Sequence, residues 1–129
     1  MGEATEQNEI FIPVDKLREF VKEVFVRLEV PADDALTVAD NLVAADLRGV
    51  RSHGVARLER YVKGVQDGLI KSRTPCSVVA QTAASATLDA HDGLGQVAGK
   101  MAMEMAIDKA SQVGVGFVSV RRSNHFGIA

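Results

Sequence analysis

Two short clusters, each centred on a histidine, are the residues of this sequence best suited to chemistry. The first is Ser52-His53-Gly54, and the second is Ser123-Asn124-His125-Phe126-Gly127, close to the last residue. Imidazole is the side chain whose ordinary pKa allows proton exchange near neutral pH. Both clusters are too polar to be core filling, so each is a candidate for acid/base catalysis. Because the second lies almost at the last residue, we expect the chain to be the front part of a larger enzyme.

A row of polar side chains follows the first histidine. On a helix with Ser52 as its N-cap and Asp67 near its end, Arg57 and Tyr61 fall roughly 40° and 80° from His53. The positive end of that helix would keep the imidazole neutral. A guanidinium matches a carboxylate with two parallel hydrogen bonds, and a phenol can orient a hydroxyl or carbonyl group. The row therefore indicates a site for a small carboxylate. On spacing alone, a capped surface helix with an incidental His, Arg and Tyr remains the alternative.

The second cluster follows an apolar strand directly. Ligands collect outside the carboxyl ends of strands in open α/β sheets, which favours a catalytic role for His125. The alternative is an imidazole that only completes the hydrogen bonds of a turn. His91 lies between Asp89 and Asp92, but alternate residues on a strand point to opposite sides, so the sequence predicts a solvated loop there and no metal site.

The glycines Gly93, Gly95 and Gly99 lie between a strand and a helix, as in a dinucleotide-binding fingerprint, and Arg121 and Arg122 would then take a 2′-phosphate. The spacing differs from that fingerprint by one residue, and no acidic residue ends the next strand. We therefore predict a tight turn and close helix packing at these glycines. A Rossmann-type nucleotide binder ranks well below the other hypotheses.

Periodicity, proline and glycine predict the elements that must position these side chains. The helices are expected at 13–29, 31–49, 52–67 and 95–113, the last one buried on most sides. Strands are expected at 77–81, 86–90 and 115–120, and the last of these reads as an interior strand. The predicted class is α/β, with a three-helix unit followed by the start of a non-Rossmann mixed α/β domain. The expected division is a flexible tail (1–12), a helical subdomain (13–69) and a truncated α/β cofactor and substrate domain (70–129).

Charge and cysteine content limit the classes of partner and compartment. Fifteen basic and seventeen acidic residues give a net charge of −2, which offers no electrostatic footprint for nucleic acid or for an anionic membrane. Cys76 is the one cysteine, and the sequence predicts that it is a buried small side chain in a reducing compartment. The acidic first residues and short apolar runs do not form a signal peptide. We expect a cytoplasmic protein.

Four segments together resemble the malate/L-lactate dehydrogenase family, the non-Rossmann type that includes ureidoglycolate and sulfolactate dehydrogenases. They are residues 45–54 (ADLRGVRSHG), Arg57 with Tyr61, residues 93–96 (GLGQ) and residues 124–127 (NHFG). The resemblance runs from about Ile10 to the end of the chain and covers only the first part of a family member. It implies an NAD(P)-dependent enzyme that oxidises small 2-hydroxy acids, or reduces the corresponding 2-oxo or cyclic imino acids. It also implies a homodimer or a higher assembly.

The resemblance also assigns roles to residues. His125 would accept the proton of the substrate hydroxyl during oxidation and donate it in reduction, although some relatives give this role to His53. Ser52 and His53 would line the substrate pocket, Arg57 would hold the substrate carboxylate, and Tyr61 would help to orient it. Asn124, Phe126 and Gly127 would contact the cofactor, NAD or NADP. No metal is implied.

Two function hypotheses follow from the sequence. The first is the N-terminal part of an NAD(P)-dependent dehydrogenase of a 2-hydroxy acid, with little or no activity in the 129 residues alone because most of the family's cofactor-binding residues lie beyond Ala129. The second is a non-catalytic fragment or interaction module that keeps the helical unit and its dimerising surfaces.

Overall fold

A computed structural model describes residues 10–128 as a mixed α/β fold, which confirms the predicted class. The elements are, in order, α1 (Val14–Arg27), α2 (Ala32–Leu47), two 3₁₀ turns (Arg51–His53 and Val55–Arg57), α3 (Leu58–Gln66), β1 (Ser77–Gln81), β2 (Ser85–Asp89), α4 (Gly95–Val113) and β3 (Phe117–Arg121). Of the predicted tail, residues 1–9 lie outside the described residues. Residues 10–12 have no regular secondary structure.

The first two helices begin where proline fixes the backbone. Pro13 and Pro31 flank the first residues of α1 and α2 with φ angles of −55° and −53°, which suit the start of a helix. The helices then pack their apolar faces against each other and against α3. The resulting core cluster consists of Val21, Phe25, Val30, Ala35, Val38, Ala39, Leu42, Tyr61, Ile70, Leu94 and Val97. This cluster crosses residue 70, where the sequence predicts a domain boundary, and the division into domains stays a prediction.

The third helix begins later than the sequence predicts. Gly54 has an extended backbone that separates the two 3₁₀ turns, and the α-helix starts only at Leu58. The Asp46 carboxylate on α2 accepts a hydrogen bond from the Val55 backbone N–H at 2.9 Å. Asp46 thus holds the start of the second 3₁₀ turn, and no side chain among the described residues caps α3, so the predicted Ser52 N-cap is wrong. The expectation that His53 lies in the first turn of the third helix is also wrong.

The sheet has three strands in the order β1-β2-β3. Strands β1 and β2 are antiparallel, with a register shift between Val78 and Ala80, and β2 and β3 are parallel. Strand β3 is thus an edge strand within residues 10–128. Phe117 at its start is 68% exposed, so the prediction of an interior strand is wrong for the described part of the chain.

Helix α4 is buried at its beginning and exposed beyond it. Residues 95–98 and Ala102 are buried, whereas Met103 and Ile107 are 62% and 61% exposed. The expectation that this helix is buried on most sides therefore holds only for its first two turns. Across residues 10–128, no helix combines the length and the apolar character that crossing a bilayer requires.

Candidate functional site

The loop after β3, which carries His125, is anchored by hydrogen bonds to the turn before α4 and to α2. The Asn124 amide donates to the backbone carbonyls of Asp92 and Gly93 at 2.8 and 3.0 Å. The Asn41 amide on α2 donates to the Ile128 carbonyl at 3.0 Å. These bonds hold the loop from both sides of His125, and they give Asn124 an anchoring role. Its predicted contact with a cofactor stays a prediction.

Close backbone packing at the start of α4 fixes the same loop. A Cβ atom at Gly95 would lie 2.2 Å from the Asn124 carbonyl oxygen and 2.5 Å from that of His125. Only glycine permits this approach. The predicted role of this glycine in close helix packing is thereby confirmed, and the helix start is brought against the histidine loop.

A chain of three side chains connects α4, α3 and the loop. The Gln96 Nε2 atom lies 2.8 Å from the Tyr61 Oη atom, which lies 2.9 Å from His125 Nδ1. Tyr61 is 3% exposed and its ring meets Phe25 edge-on, with centroids 6.1 Å apart. The phenol is therefore held by the core on one side and contacts the imidazole on the other.

The two histidine clusters meet in space. The imidazole rings of His53 and His125 have centroids 5.2 Å apart, although 72 residues separate them in sequence. The Ser52 hydroxyl lies 2.9 Å from His53 Nδ1. Behind them, the Asp46 carboxylate fills the space where a Cβ atom at Gly54 would lie, at 2.0 Å. The extended Gly54 can pass this carboxylate because it has no side chain, and that passage sets the position of His53.

A small cavity of about 80 Å³ lies beside His125. It is lined by Arg57, Arg60, Tyr61, Ile70, Asn124 and His125. The Arg57 Nε atom donates to the Ser52 backbone carbonyl, which fixes the guanidinium near the first histidine cluster. Two guanidinium groups, a phenol and an imidazole around one small cavity form a site that suits a small carboxylate.

Desolvation and charge set the protonation of this cavity. Desolvation of the ring is the first cause that lowers the pKa of His125 below its ordinary value, and the positive charges of Arg57, His53 and Arg60 act in the same direction. Burial raises the pKa of Tyr61 above its ordinary value, against the opposing effects of Gln96, Arg57 and Arg60. At neutral pH the site therefore holds a neutral imidazole and a neutral phenol beside two cations.

A larger groove of about 790 Å³ lies on the other side of the histidine loop. It runs between α4 and β3, and Gly95, Gly99, Phe117 and Phe126 are among its lining residues. Gln96 also lines it. The Oε1 atom of this side chain is buried and has no hydrogen-bond partner within residues 10–128.

The sheet end near the site carries an ion-pair network that the sequence did not reveal. The Asp89 carboxylate is buried and accepts hydrogen bonds from Arg121 Nε at 2.8 Å and from Arg122 Nε at 2.9 Å. These bonds hold its pKa well below the ordinary range, with Arg122 as the first cause. His91 contacts Arg122 at 2.6 Å and Ser77 at 2.8 Å. In the described part of the chain, no three His, Cys, Asp or Glu side chains are grouped to hold a metal ion.

The structure brings together most of the side chains that the sequence singles out. Arg57, Tyr61 and His125 line the small cavity. His53 lies in a 3₁₀ turn rather than on the helix, with its ring beside that of His125, and Ser52 contacts His53. Phe126 and Gly127 lie beyond the small cavity, with Phe126 in the larger groove. Sequence reasoning missed Arg60 and Gln96 as site residues. Arg60 lies three residues after Arg57, a spacing that puts both on one helix face, and Gln96 is a polar residue at a buried helix start.

Comparisons with known proteins agree with one another. A family model described as malate/L-lactate dehydrogenase matches residues 12–129. The malate dehydrogenase of Pyrococcus abyssi is 48% identical over 124 residues, covering 96% of this chain and 34% of the relative. The L-sulfolactate dehydrogenase of Methanocaldococcus jannaschii is 44% identical over 112 residues, covering 87% of this chain and 33% of the relative.

The solved structure of malate dehydrogenase from Pyrococcus horikoshii OT3 is similar to this fold with a TM-score of 0.93 at 48% identity. The match covers 96% of this chain and 36% of that one. The chain thus spans about a third of the length of the curated relatives that it matches.

Proposed function

Because the chain belongs to the malate/L-lactate dehydrogenase family, we propose that it supplies the substrate-binding and acid/base part of a dehydrogenase for a small 2-hydroxy acid. The observation that carries the proposal is the single cavity lined by Arg57, Arg60, Tyr61 and His125. The substrate class is that of the relatives, whose names include malate, sulfolactate and ureidoglycolate dehydrogenases. A carboxylate is common to these three acids, and a guanidinium recognises it.

In this proposal the residues of the cavity divide the work. Arg57 and Arg60 hold the carboxylate, which fixes the C2 atom of the acid relative to the imidazole. Tyr61 orients the imidazole of His125 through its hydroxyl, and Ser52 orients that of His53. His125 exchanges the proton of the C2 oxygen, accepting it in oxidation and donating it in reduction. His53, with its ring beside that of His125, is the second candidate for this role.

The larger groove fits a nicotinamide cofactor, NAD or NADP. Its glycines leave room for a flat ring, Phe126 offers an apolar contact, and the unpartnered Gln96 Oε1 can accept a hydrogen bond from a carboxamide. When bound, the nicotinamide takes up or supplies the hydride at C2. Asn124, Phe126 and Gly127 are the residues of this chain that we assign to its binding.

The proposal extends to the state of the whole protein. We expect little or no turnover from these 129 residues alone, because they span about a third of the relatives. We also propose a homodimer or higher assembly, as the family resemblance implies, and a cytoplasmic location, as the single Cys76 favours.

A chimera tests the proposal. Residues 1–128 of this chain would be joined to the remaining two-thirds of the Pyrococcus horikoshii malate dehydrogenase, and oxidation of malate, sulfolactate, lactate and ureidoglycolate would be measured with NAD and NADP. We expect turnover of at least one acid, and a loss of about 10²–10⁴-fold in kcat for His125→Ala. Full activity in that variant, or a folded chimera inactive on every acid, would favour a non-catalytic interaction module instead.

A further inference from the structure

Gln96 is a buried polar residue that the proposed chemistry does not require for contact with the acid. It is 5% exposed at the start of α4. The one hydrogen bond of its side chain within the described residues goes to the Tyr61 Oη atom, which in turn contacts His125 Nδ1. The backbone N–H of Gly127 also points at this Nδ1 atom, with an N···N distance of 3.2 Å.

The Gly127 N–H indicates the direction of each hydrogen bond in this chain of groups. A backbone N–H can only donate, so His125 Nδ1 must present a lone pair. The Tyr61 hydroxyl therefore also donates to Nδ1, and the two donors share its one lone pair, Tyr61 at 2.9 Å and Gly127 at 3.2 Å. The phenol oxygen is left as an acceptor, so Gln96 must turn its amide NH₂ toward it. The same orientation leaves Gln96 Oε1 without a partner, as the structure shows.

We propose that Gln96 is a positioning residue that acts through Tyr61 to hold neutral His125 as the tautomer protonated at Nε2. A neutral imidazole carries one ring proton, and two donors at Nδ1 leave Nε2 as its place. The tautomer follows from this chain's own contacts. Its consequence for a substrate rests on the proposed function.

The consequence is that the resting ring offers an N–H donor to the substrate oxygen. The carbonyl oxygen of a 2-oxo acid can accept this hydrogen bond directly. To accept the proton of a 2-hydroxy acid at Nε2, the imidazole proton must move to Nδ1, and the hydrogen bonds of Tyr61 and Gln96 must reverse. The Gln96 amide therefore prepares the site for the 2-oxo form of the substrate.

Nitrogen NMR of the 129-residue chain tests the tautomer without any turnover. Long-range ¹H–¹⁵N correlation spectra distinguish a ring protonated at Nε2 from one protonated at Nδ1. We expect the Nε2–H pattern for His125 at a pH above the pKa of the ring. An Nδ1–H pattern in the unmodified chain would overturn the proposal, whatever the chimera does in turnover assays.

The variant Gln96→Glu reverses the chain of hydrogen bonds with almost no change of shape. A carboxylate can only accept, so Tyr61 would donate to it, and the phenol oxygen would then accept a hydrogen bond from His125 Nδ1–H. The Gly127 N–H, which lies 3.2 Å from Nδ1 in the unmodified chain, would lose its acceptor. We expect the Nδ1–H tautomer, or a doubly protonated ring, at a pH above the pKa of the new carboxyl group. Below that pKa the carboxylic acid can donate, and the Nε2–H pattern should return. The charged or titratable groups around His125 in this titration are Arg57, Arg60, His53 and Tyr61.

Gln112→Glu is the matched control, because it places the same substitution on the exposed end of α4. It should leave the His125 pattern unchanged. A folded Gln96→Glu chain that keeps the Nε2–H pattern at every pH would overturn the role of Gln96. If that variant does not fold, Gln96→Met removes the donor without adding a charge. We expect a mixture of both tautomers from it, and an unchanged pattern would overturn the role equally.

The chimera adds a kinetic readout. With the cofactor at saturation for each variant, losing one hydrogen bond to the substrate oxygen should raise KM for the 2-oxo acid about tenfold in Gln96→Glu. Gln112→Glu should show no such change. An unchanged KM in Gln96→Glu, together with a reversed tautomer, would overturn the consequence for substrate binding and leave the tautomer assignment supported. A chimera that is inactive with every acid argues against the proposed function alone, since the NMR result is independent of it.

Discussion

In the helical unit, α1 and α2 leave Val21, Phe25 and Leu42 with no exposed surface, whereas the later turns of α4 and the edge strand β3 leave Met103, Ile107 and Phe117 more than half exposed. Both regions carry apolar side chains at regular spacing. Within residues 10–128, the first region covers one apolar face of each helix and leaves Phe20 and Leu47 exposed, whereas the second leaves most of its apolar face uncovered. An apolar pattern alone therefore does not show how much a segment stabilises the fold, because an apolar face contributes to folding only where another element covers it.

The difference in burial between the two regions also explains how the candidate site keeps its geometry. His125 follows β3 and so belongs to the less covered region. Its position is fixed by contacts with Tyr61 on α3 and with Gly95 at the buried start of α4, and by the bond from Asn41 on α2 to the end of the loop. The histidine loop thus takes its geometry from the well-packed region. We expect the site to respond more to changes in that region than to changes on the outer surface of β3.

A matched pair of phenylalanine substitutions should show the largest difference. Phe25→Ala removes a fully buried ring that packs on Tyr61, and it should cost about 3–5 kcal/mol of unfolding free energy. Phe117→Ala removes an exposed ring and should change that free energy by less than about 0.5 kcal/mol. Urea unfolding followed by circular dichroism measures both. Equal losses would mean that the edge strand is packed as tightly as the helices.

Gly95→Ala tests the contact that joins the two regions. The added methyl group would lie at 2.2 Å from the Asn124 carbonyl oxygen, so the backbone must shift, at a cost of about 1–3 kcal/mol. The ring contact between Tyr61 and His125 should weaken with it, which NMR shift changes at both residues would report. Gly99→Ala is the control, because a Cβ atom there meets only Phe126 at 3.9 Å. Similar effects from both glycines would contradict the close approach as the cause.

Asp89→Asn tests the ion-pair network at the sheet end. The folded state holds the pKa of Asp89 below its ordinary value of 3.8. The stabilisation is therefore fully present above that ordinary value and is lost as the pH falls through the lower folded value. The variant should lower Tm by about 5 °C at pH 7, and the difference from the unmodified chain should shrink at pH below about 4. Asp67→Asn, at an exposed position, should change neither. A Tm difference that stays constant down to low pH would contradict an ionic cause.

The bounds of α1, α2 and α4 could be predicted from the sequence because their signals are local. Pro13, Pro31 and Gly114 act on their own backbone, and Gly114 indeed takes the left-handed conformation that ends α4, with φ of 87°. The start of α3 could not be predicted. There Asp46, a side chain on another helix, accepts a hydrogen bond from Val55 in the 3₁₀ turn that precedes α3, and no local pattern contains that contact.

The candidate site was also only partly predictable from the sequence. The types of His53, Arg57, Tyr61 and His125 suggested their chemistry, and the family resemblance suggested that they belong together. The bond from Gln96 to Tyr61 required the packing of α4 against α3. The pairing of Asp89 with Arg121 required the parallel register of β2 and β3, which places these two residues side by side. Contacts across elements depend on tertiary packing, which a single sequence does not display.

The smallest expected effect is the change in the pKa of His125 when a positive charge in the helical region is removed. Arg57 is the first of the positive groups that lower the pKa of His125, after desolvation of the ring. Replacing it with the neutral Arg57→Gln should move the pKa of His125 back toward its ordinary value, and an NMR titration of the ring protons measures the shift. Arg27→Gln, on the exposed end of α1, should leave the titration unchanged. Because the interaction is Coulombic, the difference between the unmodified chain and Arg57→Gln should shrink as salt is added. A shift of equal size at all salt concentrations would mean that Arg57 acts on His125 by excluding water from the ring rather than by its charge.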